Sequence, residues 1–584
     1  MHHGPWSYEP ITTGRPPVMG TRYMISSGHY LATQAGMRML ERGGNAVDAG
    51  VAAGLAINVC QTDMTSVGGV APIIIYLAET NEIITISGLG WWPKAATLEA
   101  VKQLGNGGPN HGVARTVMPA AVDAWFTALA RYGTMSLAEV AAPAIELAER
   151  GFAMYAAKRG DLAKFDTMWF GELPTCREHF FPGGRLPEIG ERFTQEALGR
   201  TLRRLVEAEE GARHSGREAG IMAARDRFYK GDIADEIAAF YDQAGGLLTK
   251  DDLAEFSVEI EPPIKTSYRG YDVYACGPWC QGPMVPQALN ILEGFDLAPL
   301  GQNSPDTLHL IIESLKLAFS DRHSFIGDPR FVDVPIDGLL DSAYAAERRS
   351  LIDARRAWPE MPPPGDPWKF QNGRGHAVQP RPIAVGAREE PDTSYVCVVD
   401  EQGNAFSATP SDAPSSPIIP SLGLIASSRG YQAWVDPEHP SAIAPGKRPR
   451  LTPNPGLIMK DGRLFMPYGT PGNDRQPQAM VQFLVNLIDF GMNLQQATEA
   501  PRLASYSFPA TGHPHRYDPG LLRLERAFPD AIGAELAARG HRVEGPEEFA
   551  FEGFGSVCAI QVDHERGVLI GAADPRRTAY ALGW

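Results

Sequence analysis

"PDTSYVCVVDEQGNAFSATPS", residues 391–411, changes character at one residue. Upstream runs the loose, charged "GAREEPD" (386–392); downstream, "SYVCVVD" and "AFSAT" flank "EQGN". Two runs of β-branched and aromatic residues around a Gly-containing turn define a β-hairpin. Thr393 stands at its mouth, with Asp392 as its neighbour. An Asp-Thr pair is ordinary punctuation between a loop and a strand. It is also a place where a hydroxyl could be held by the strand behind it, while the loop before it offers a bond to be cut.

The hairpin pattern recurs on both sides of this stretch. "APIIIYLAETNEIITISG" (71–88), "GLIMKDGRLFMPYG" (456–469, turning at Asp461-Gly462) and "SVCAIQVDHERGVLIGAADP" (556–575) each read as two strands about a tight turn. Helical periodicity fills the intervals. Residues 28–60 give two helices: the first stops at Gly43-Gly44, and Asn45 caps the second, with Asp48 in its first turn. Small residues at Ala49, Ala52, Ala53 and Ala56 let that second helix lie close to a sheet. Residues 114–260 are mostly helical, and 304–325 form one long helix behind a Ser/Asp start. Hairpins in both halves with helices between them predict an α+β fold of stacked antiparallel sheets covered by helices. The stretch 355–391 is Pro/Gly-rich and polar, and reads as an exposed linker just upstream of Thr393.

A chain of 584 residues calls for two domains or one large layered sandwich. Its 43% hydrophobic and 21% charged residues suit a globular protein. With a net charge of −16 and no basic block longer than clusters such as "GKRPR" (446–450), neither nucleic acid nor an anionic membrane is expected as a partner. The start of the chain lacks the apolar core of a secretory signal. The most apolar run, 49–60, is well short of the ~20 residues that span a bilayer, so a cytoplasmic location is expected. Six cysteines are scattered, and only Cys276 and Cys280 are close. Without a second pair, their spacing is neither a zinc nor a redox motif. They read as buried free thiols, and no metal or cofactor is expected.

Eight pieces, in order along nearly the whole chain, carry a resemblance: "LATQAGMRMLERGGNAVDAGVAAGLAINV", "SVGGVAPIIIY", "GPWCQGPMVPQALNILEGFDL", "ESLKLAFSDRHSFIGDPRFV", "DTSYVCVVDEQGNAFS", "APGKRPRLTPNP", "GTPGNDRQPQ" and "GAADPRR". Together they resemble the gamma-glutamyltransferase family of self-processing N-terminal-nucleophile hydrolases. The resemblance implies a four-layer αββα sandwich. It also implies a nucleophile at Thr393 and a cut between Asp392 and Thr393, giving a large fragment, 1–392, that stays paired with a small one, 393–584. The chemistry suits the residue. A threonine hydroxyl needs an adjacent base, and the cut supplies one in its own α-amine, with a reference pKa of about 8. Gly472 and Asn473 match the turn whose N–H groups form the oxyanion hole, with Asn where transferases usually carry a second glycine. Ser411 matches a second hydroxyl that bonds the nucleophile.

Departures from the pattern bear on the substrate. Where glutathione-type members hold the glutamyl α-carboxylate with an arginine, this chain has Leu89; where they hold the α-amine with an aspartate, it has Gln432. Their adjacent serine pair becomes Leu451-Thr452, and Arg429 replaces a Gln or Glu. A γ-glutamyl group would lose its zwitterion clamp, because a buried charge without its partner costs several kcal/mol. Arg429 and its surroundings resemble instead the cephalosporin acylase and oxamate amidohydrolase subgroup. Arg429 then either binds a carboxylate on the acyl side or pairs with a protein acid such as Asp412 or Asp436. Trp91 and Trp92 read as a planar wall or as core. The expected activity is amide hydrolysis by an acylase-type enzyme on a small amide, through a threonyl ester. The alternatives are a γ-glutamyl hydrolase or transpeptidase, and a non-catalytic small-molecule-binding relative. Further homo-oligomerisation is compatible with either enzyme.

Overall fold

Strand Val396–Val399 is buried on both faces, and its alternation shows what covers each. Val396 and Val398 point into a core beneath a layer of helices, while Tyr395, Cys397 and Val399 join a second core between two sheets. The computed structural model that gives this arrangement describes residues 13–371, 373, 385, 393–547 and 554–584.

Two seven-stranded antiparallel sheets make the centre. One runs in the spatial order Tyr580–Gly583, Met24–Ser27, Val396–Val399, Ala405–Ala408, Ile73–Leu77, Glu82–Ile86 and Ile260–Glu261. The other runs Val18–Gly20, Val568–Ala573, Cys558–Asp563, Arg463–Gly469, Gly456–Lys460, Tyr271–Ala275 and Ile264–Tyr268. Helices Tyr30–Glu41, Ala46–Cys60 and Ala121–Tyr132 cover the first sheet; Met284–Leu292, Pro305–Phe325 and Arg475–Ile488 cover the second. This is the αββα sandwich, and all four expected hairpins are present.

The helix Ala46–Cys60 is buried along its whole length, under an Asn45–Asp48 capping box. It can lie on the first sheet because its inner face is small. A Cβ on Gly50 would sit 2.2 Å from the Phe406 ring. Among the described residues, no helix is long and apolar enough to cross a membrane.

The stretch read as a free linker is not one as far as Gln371. Ala357 N donates to Arg539 O at 2.7 Å, Ser320 Oγ to Pro362 O at 2.6 Å, and Gly365 N to Asp321 Oδ1 at 2.9 Å. The prolines keep the segment extended, so its carbonyls stay free to accept bonds from the long helix beneath it. Most of residues 372–391, and Asp392, lie outside the described residues.

Two buried histidines depend on being neutral. His29 caps the helix Tyr30–Glu41 through Nδ1, which accepts from Leu31 N at 3.2 Å and so must carry no proton. Burial, with Lys158 and Arg577 nearby, pushes its pKa down to about 3. His309 Nε2 donates to Asp353 O at 2.8 Å, leaving Nδ1 to accept from His541 Nε2 at 2.9 Å. Burial, then Lys316 and His309, push His541 down to about 2. In the unfolded chain both would protonate near 6.5. As pH falls through that value the unfolded state takes up protons that the folded state refuses, so stability is complete above about 6.5 and is lost progressively toward 3. The melting temperature should therefore fall steadily between pH 7 and pH 5. His29→Asn, which keeps a capping acceptor that does not titrate, should flatten that slope.

Candidate active site

Hairpin register builds the site. Val396 lies opposite Ala408 and Val399 opposite Ala405, and the pairing continues with Ser394 N donating to Pro410 O at 2.8 Å. One step further places Thr393 across from Ser411, and their hydroxyls share a hydrogen bond of 2.8 Å. By parity with Tyr395 and Cys397, Thr393 faces the gap between the sheets. Ser411 pairs on its other side with Val70, through N–H···O bonds in both directions at 3.0 and 3.2 Å. That closeness requires a glycine at 69, where a Cβ would lie 2.4 Å from Ser411 O.

Asp412 has φ of 126°, a left-handed value that costs a non-glycine residue about 1–3 kcal/mol. Its buried carboxylate is held by Ser427 Oγ at 2.6 Å, by Ser428 N at 3.1 Å and by the Ser428 hydroxyl. These bonds fold 427–432 over the hairpin end. The segment at Arg429 is a single 3₁₀ turn, Arg429–Gln432, because the serines bond Asp412 rather than a neighbouring strand. The Arg429 guanidinium is buried. It donates through Nη2 to Ser411 Oγ and through Nη1 to Tyr431 Oη at 3.1 Å, and its Nε lies 3.8 Å from Asp412 Oδ2. Pairing with Asp412, one of the two readings of this arginine, is thus present.

Gln432 and Thr452 are closed on one another. Gln432 Nε2 donates to Thr452 Oγ1 at 2.9 Å and to Tyr431 Oη at 3.2 Å, while Oε1 accepts from Thr452 N at 3.3 Å. Leu89 is buried against Val70, Cys276, Trp279, Cys280 and Leu451. Trp92 is core, packed with Val117, Ala433 and Ile443. Half-buried Trp91 packs on Phe256, with ring centroids 4.7 Å apart. All six cysteines are buried free thiols, as expected.

From the second sheet, strand Arg463–Gly469 ends beneath Tyr395, whose ring fills the space a Cβ on Gly469 would need, 2.3 Å away. The turn that follows brings Gly472 (φ 128°) and Asn473 (φ 54°) to the start of helix Arg475–Ile488. Asparagine tolerates the left-handed region better than most residues, which accounts for Asn in place of a second glycine. Gly472 O accepts from Arg475 N at 2.9 Å, so in the trans peptide the Asn473 N–H points away from the helix.

Sequence reasoning missed two supports. Gln281 Nε2 donates to both Thr452 O and Asn473 O at 2.9 Å, tying the two loops together; its Oε1 accepts from Arg322, which also binds Asp474 at 2.5 Å. Arg577 donates through Nη1 to Thr393 O at 3.2 Å. Both lie in motifs already quoted, "GPWCQGP" and "GAADPRR", but nothing in a lone Gln or Arg shows what it holds.

Among the described residues one group has metal-like donors: ligand atoms of His309, Glu313 and His541 lie within 4.8 Å of one another. The imidazole–imidazole hydrogen bond uses the lone pair a metal would need. The Lys316 ammonium, 2.8 Å from Glu313 Oε1, already supplies the positive charge.

The family profile described as Gamma-glutamyltranspeptidase matches residues 32–584. The chain is 34% identical to the protein named acylase ACY 1 proenzyme of Pseudomonas sp. (strain SE83), over 96% of this chain and 94% of that one. It is 32% identical to the glutathione hydrolase-like YwrD proenzyme of Bacillus subtilis (strain 168), over 97% and 99%. The crystal structure of cephalosporin acylase from Bacillus halodurans has the same fold, with a TM-score of 0.84 at 30% identity, covering 100% of this chain and 99% of that one. The chain therefore belongs to the gamma-glutamyltranspeptidase family of N-terminal-nucleophile hydrolases.

Proposed function

We propose that Thr393 is the nucleophile of a self-processing amide hydrolase, acting first on its own chain and then on a small amide. The observation that carries this reading is the buried Thr393–Ser411 hydroxyl pair at the hairpin mouth. In the uncut chain Thr393 Oγ1 attacks the Asp392 carbonyl carbon and the C–N bond breaks. The proton leaves with the amine, and water hydrolyses the resulting ester. The freed α-amine of Thr393 then serves as base for the same sequence on substrate: attack, threonyl ester, water. The 472–473 N–H groups, at the positive end of a helix, suit the oxyanion of each step; losing one such donor typically costs two to three orders of magnitude in rate. Each sheet contains strands from before and after residue 393. The fragments 1–392 and 393–584 would therefore remain hydrogen-bonded after the cut.

The substrate is an amide whose acyl group needs no α-amino-acid clamp. Gln432 and Thr452 spend their polar atoms on each other and on Tyr431, and Leu89 sits in an apolar cluster where a carboxylate clamp would need charge. This favours the acylase reading over a γ-glutamyl hydrolase. The intact hydroxyl pair speaks against a non-catalytic binding protein.

On a denaturing gel the 63.3 kDa chain should resolve into fragments of about 42 and 21 kDa, in proportion to their lengths. Thr393→Ala should stay at full length. A wild-type protein that hydrolyses amides as a single uncut band would refute the mechanism. With no second clamp to orient an amino-acid acceptor, hydrolysis should dominate transfer. Glycylglycine should leave the rate of donor consumption nearly unchanged, and a large acceleration would restore the transpeptidase reading.

A further inference from the structure

We propose that Asp412 and Arg429 form a charge relay that acts on Thr393 through the Ser411 hydroxyl, with Asp412 as the positioning residue that sets both the place and the effective charge of Arg429. The inference rests on Thr393 being the nucleophile.

The geometry is a continuous chain. Asp412 Oδ2 faces Arg429 Nε at 3.8 Å, Arg429 Nη2 donates to Ser411 Oγ, and Ser411 Oγ lies 2.8 Å from Thr393 Oγ1. Asp412, Arg429, Ser411 and Thr393 are each completely buried, so these interactions are little screened. A guanidinium only donates. Ser411 Oγ therefore accepts from Arg429, and as a hydroxyl it can still exchange a hydrogen bond with Thr393 Oγ1 in either direction. As Thr393 Oγ1 gives up its proton and gains negative character, the Ser411 O–H donates to it, and the cation behind Ser411 strengthens that donation. None of these contacts involves the bond between Asp392 and Thr393, so one relay can serve self-processing and turnover.

Backbone geometry singles out Asp412. At φ 126° a glycine would be unstrained, and the chain instead carries the side chain that fixes the 427–429 turn through two serines and balances Arg429. A residue kept against backbone preference and wired to the group behind the nucleophile is expected where function demands it.

After processing, the Thr393 α-amine feels every charge packed around it. Arg577 lies on the Thr393 carbonyl, with Asp161 3.7 Å behind it; Arg429, Tyr431 and Asp412 lie beyond Ser411. Asp412→Asn removes a negative charge from the set around the amine, so it should lower the pKa of the amine. Removing the cation should raise it, so Arg429→Gln should shift it the opposite way, each by about half a unit or more. The probe is acetic anhydride: the pH dependence of acetylation at the Thr393 amine, read by mass spectrometry on the processed full-length protein. Asp412→Gly, which removes the same charge and relieves the backbone, should shift in the same direction as Asp412→Asn.

Opposite shifts establish the relay. Shifts in the same direction, or none, overturn it, because a purely structural role has no sign. If Arg429→Gln folds with the wild-type melting temperature but stays uncut, Arg429→Lys, which keeps the charge, should restore cutting; failure to do so also overturns the relay. A wild-type chain with no free Thr393 amine would instead sink the reading of Thr393 itself.

Discussion

One register holds the site together: the antiparallel pairing that puts residue 393 opposite residue 411. Slipping a strand by one residue would turn Thr393 to the other face, away from the gap between the sheets, and would move Ser411 off its partner. The register is fixed because both faces of Val396–Val399 are buried in different cores, one against helices and one against the second sheet. Hydrophobic burial over the whole hairpin therefore sets the position of two hydroxyls to within a hydrogen bond. The geometry of this hydroxyl pair is inherited from the packing and needs no dedicated scaffold of its own.

Packing alone cannot place charges, and a second device does so. Arg576 pairs with Glu525 at 2.6 Å and with Asp574 at 3.1 Å, and Arg502 pairs with Asp574 at 2.7 Å, all essentially without solvent. Buried ion pairs add little net stability against well-packed apolar residues, yet breaking one is costly. What such a network supplies is position. It fixes the "ADPRR" segment so that the next residue, Arg577, reaches the Thr393 carbonyl. The Gln281–Arg322–Asp474 set does the same for the 452 and 473 loops. Around Thr393, polar groups hold loops that apolar contacts leave loose.

These two devices differ in how far they can be read from sequence. Strand alternation, the Asn45 capping box and the glycine-ended turns are local, and all four hairpins and the long helices stand where periodicity puts them. The Thr393–Ser411 pair was legible only to within one residue: counting back from a four-residue "EQGN" turn sets Asp400 opposite Ala405 and Thr393 opposite Asp412, whereas the loop also takes in Asp400, so Val399 pairs with Ala405 and Thr393 comes to lie across from Ser411. The 3₁₀ turn at Arg429 was not, because its cause is the Asp412 carboxylate reaching Ser427 and Ser428 at a backbone angle that no sequence pattern announces. Nor was the docking of 357–371, where a proline-rich stretch that looks like a linker presents the Pro362 carbonyl and the Gly365 N–H to a helix. Long-range polar bonds are set by the fold, and local composition carries no trace of them.

The two devices also divide the proposed nucleophile from the proposed substrate contacts. Thr393, Ser411 and the 472–473 turn are tied to strand ends and to a helix start, elements that could not move without unpacking a core. Leu89, Gln432 and Thr452 sit on loops, and their environment is locally satisfied: an apolar cluster for one, a closed amide–hydroxyl pair for the others. Changing such residues leaves the register of the hairpin intact, whereas a buried charge at any of them would have needed a bound partner to offset its desolvation. With Thr393 as the proposed nucleophile and these loop residues as the proposed substrate contacts, such a scaffold could change its acyl group without rebuilding its mechanism. Arg429 stands between the two: its turn carries Gln432, while its guanidinium is bonded to Ser411. A substitution there would disturb both at once, and the acid that lies against its charge, Asp412, is held at a left-handed backbone angle.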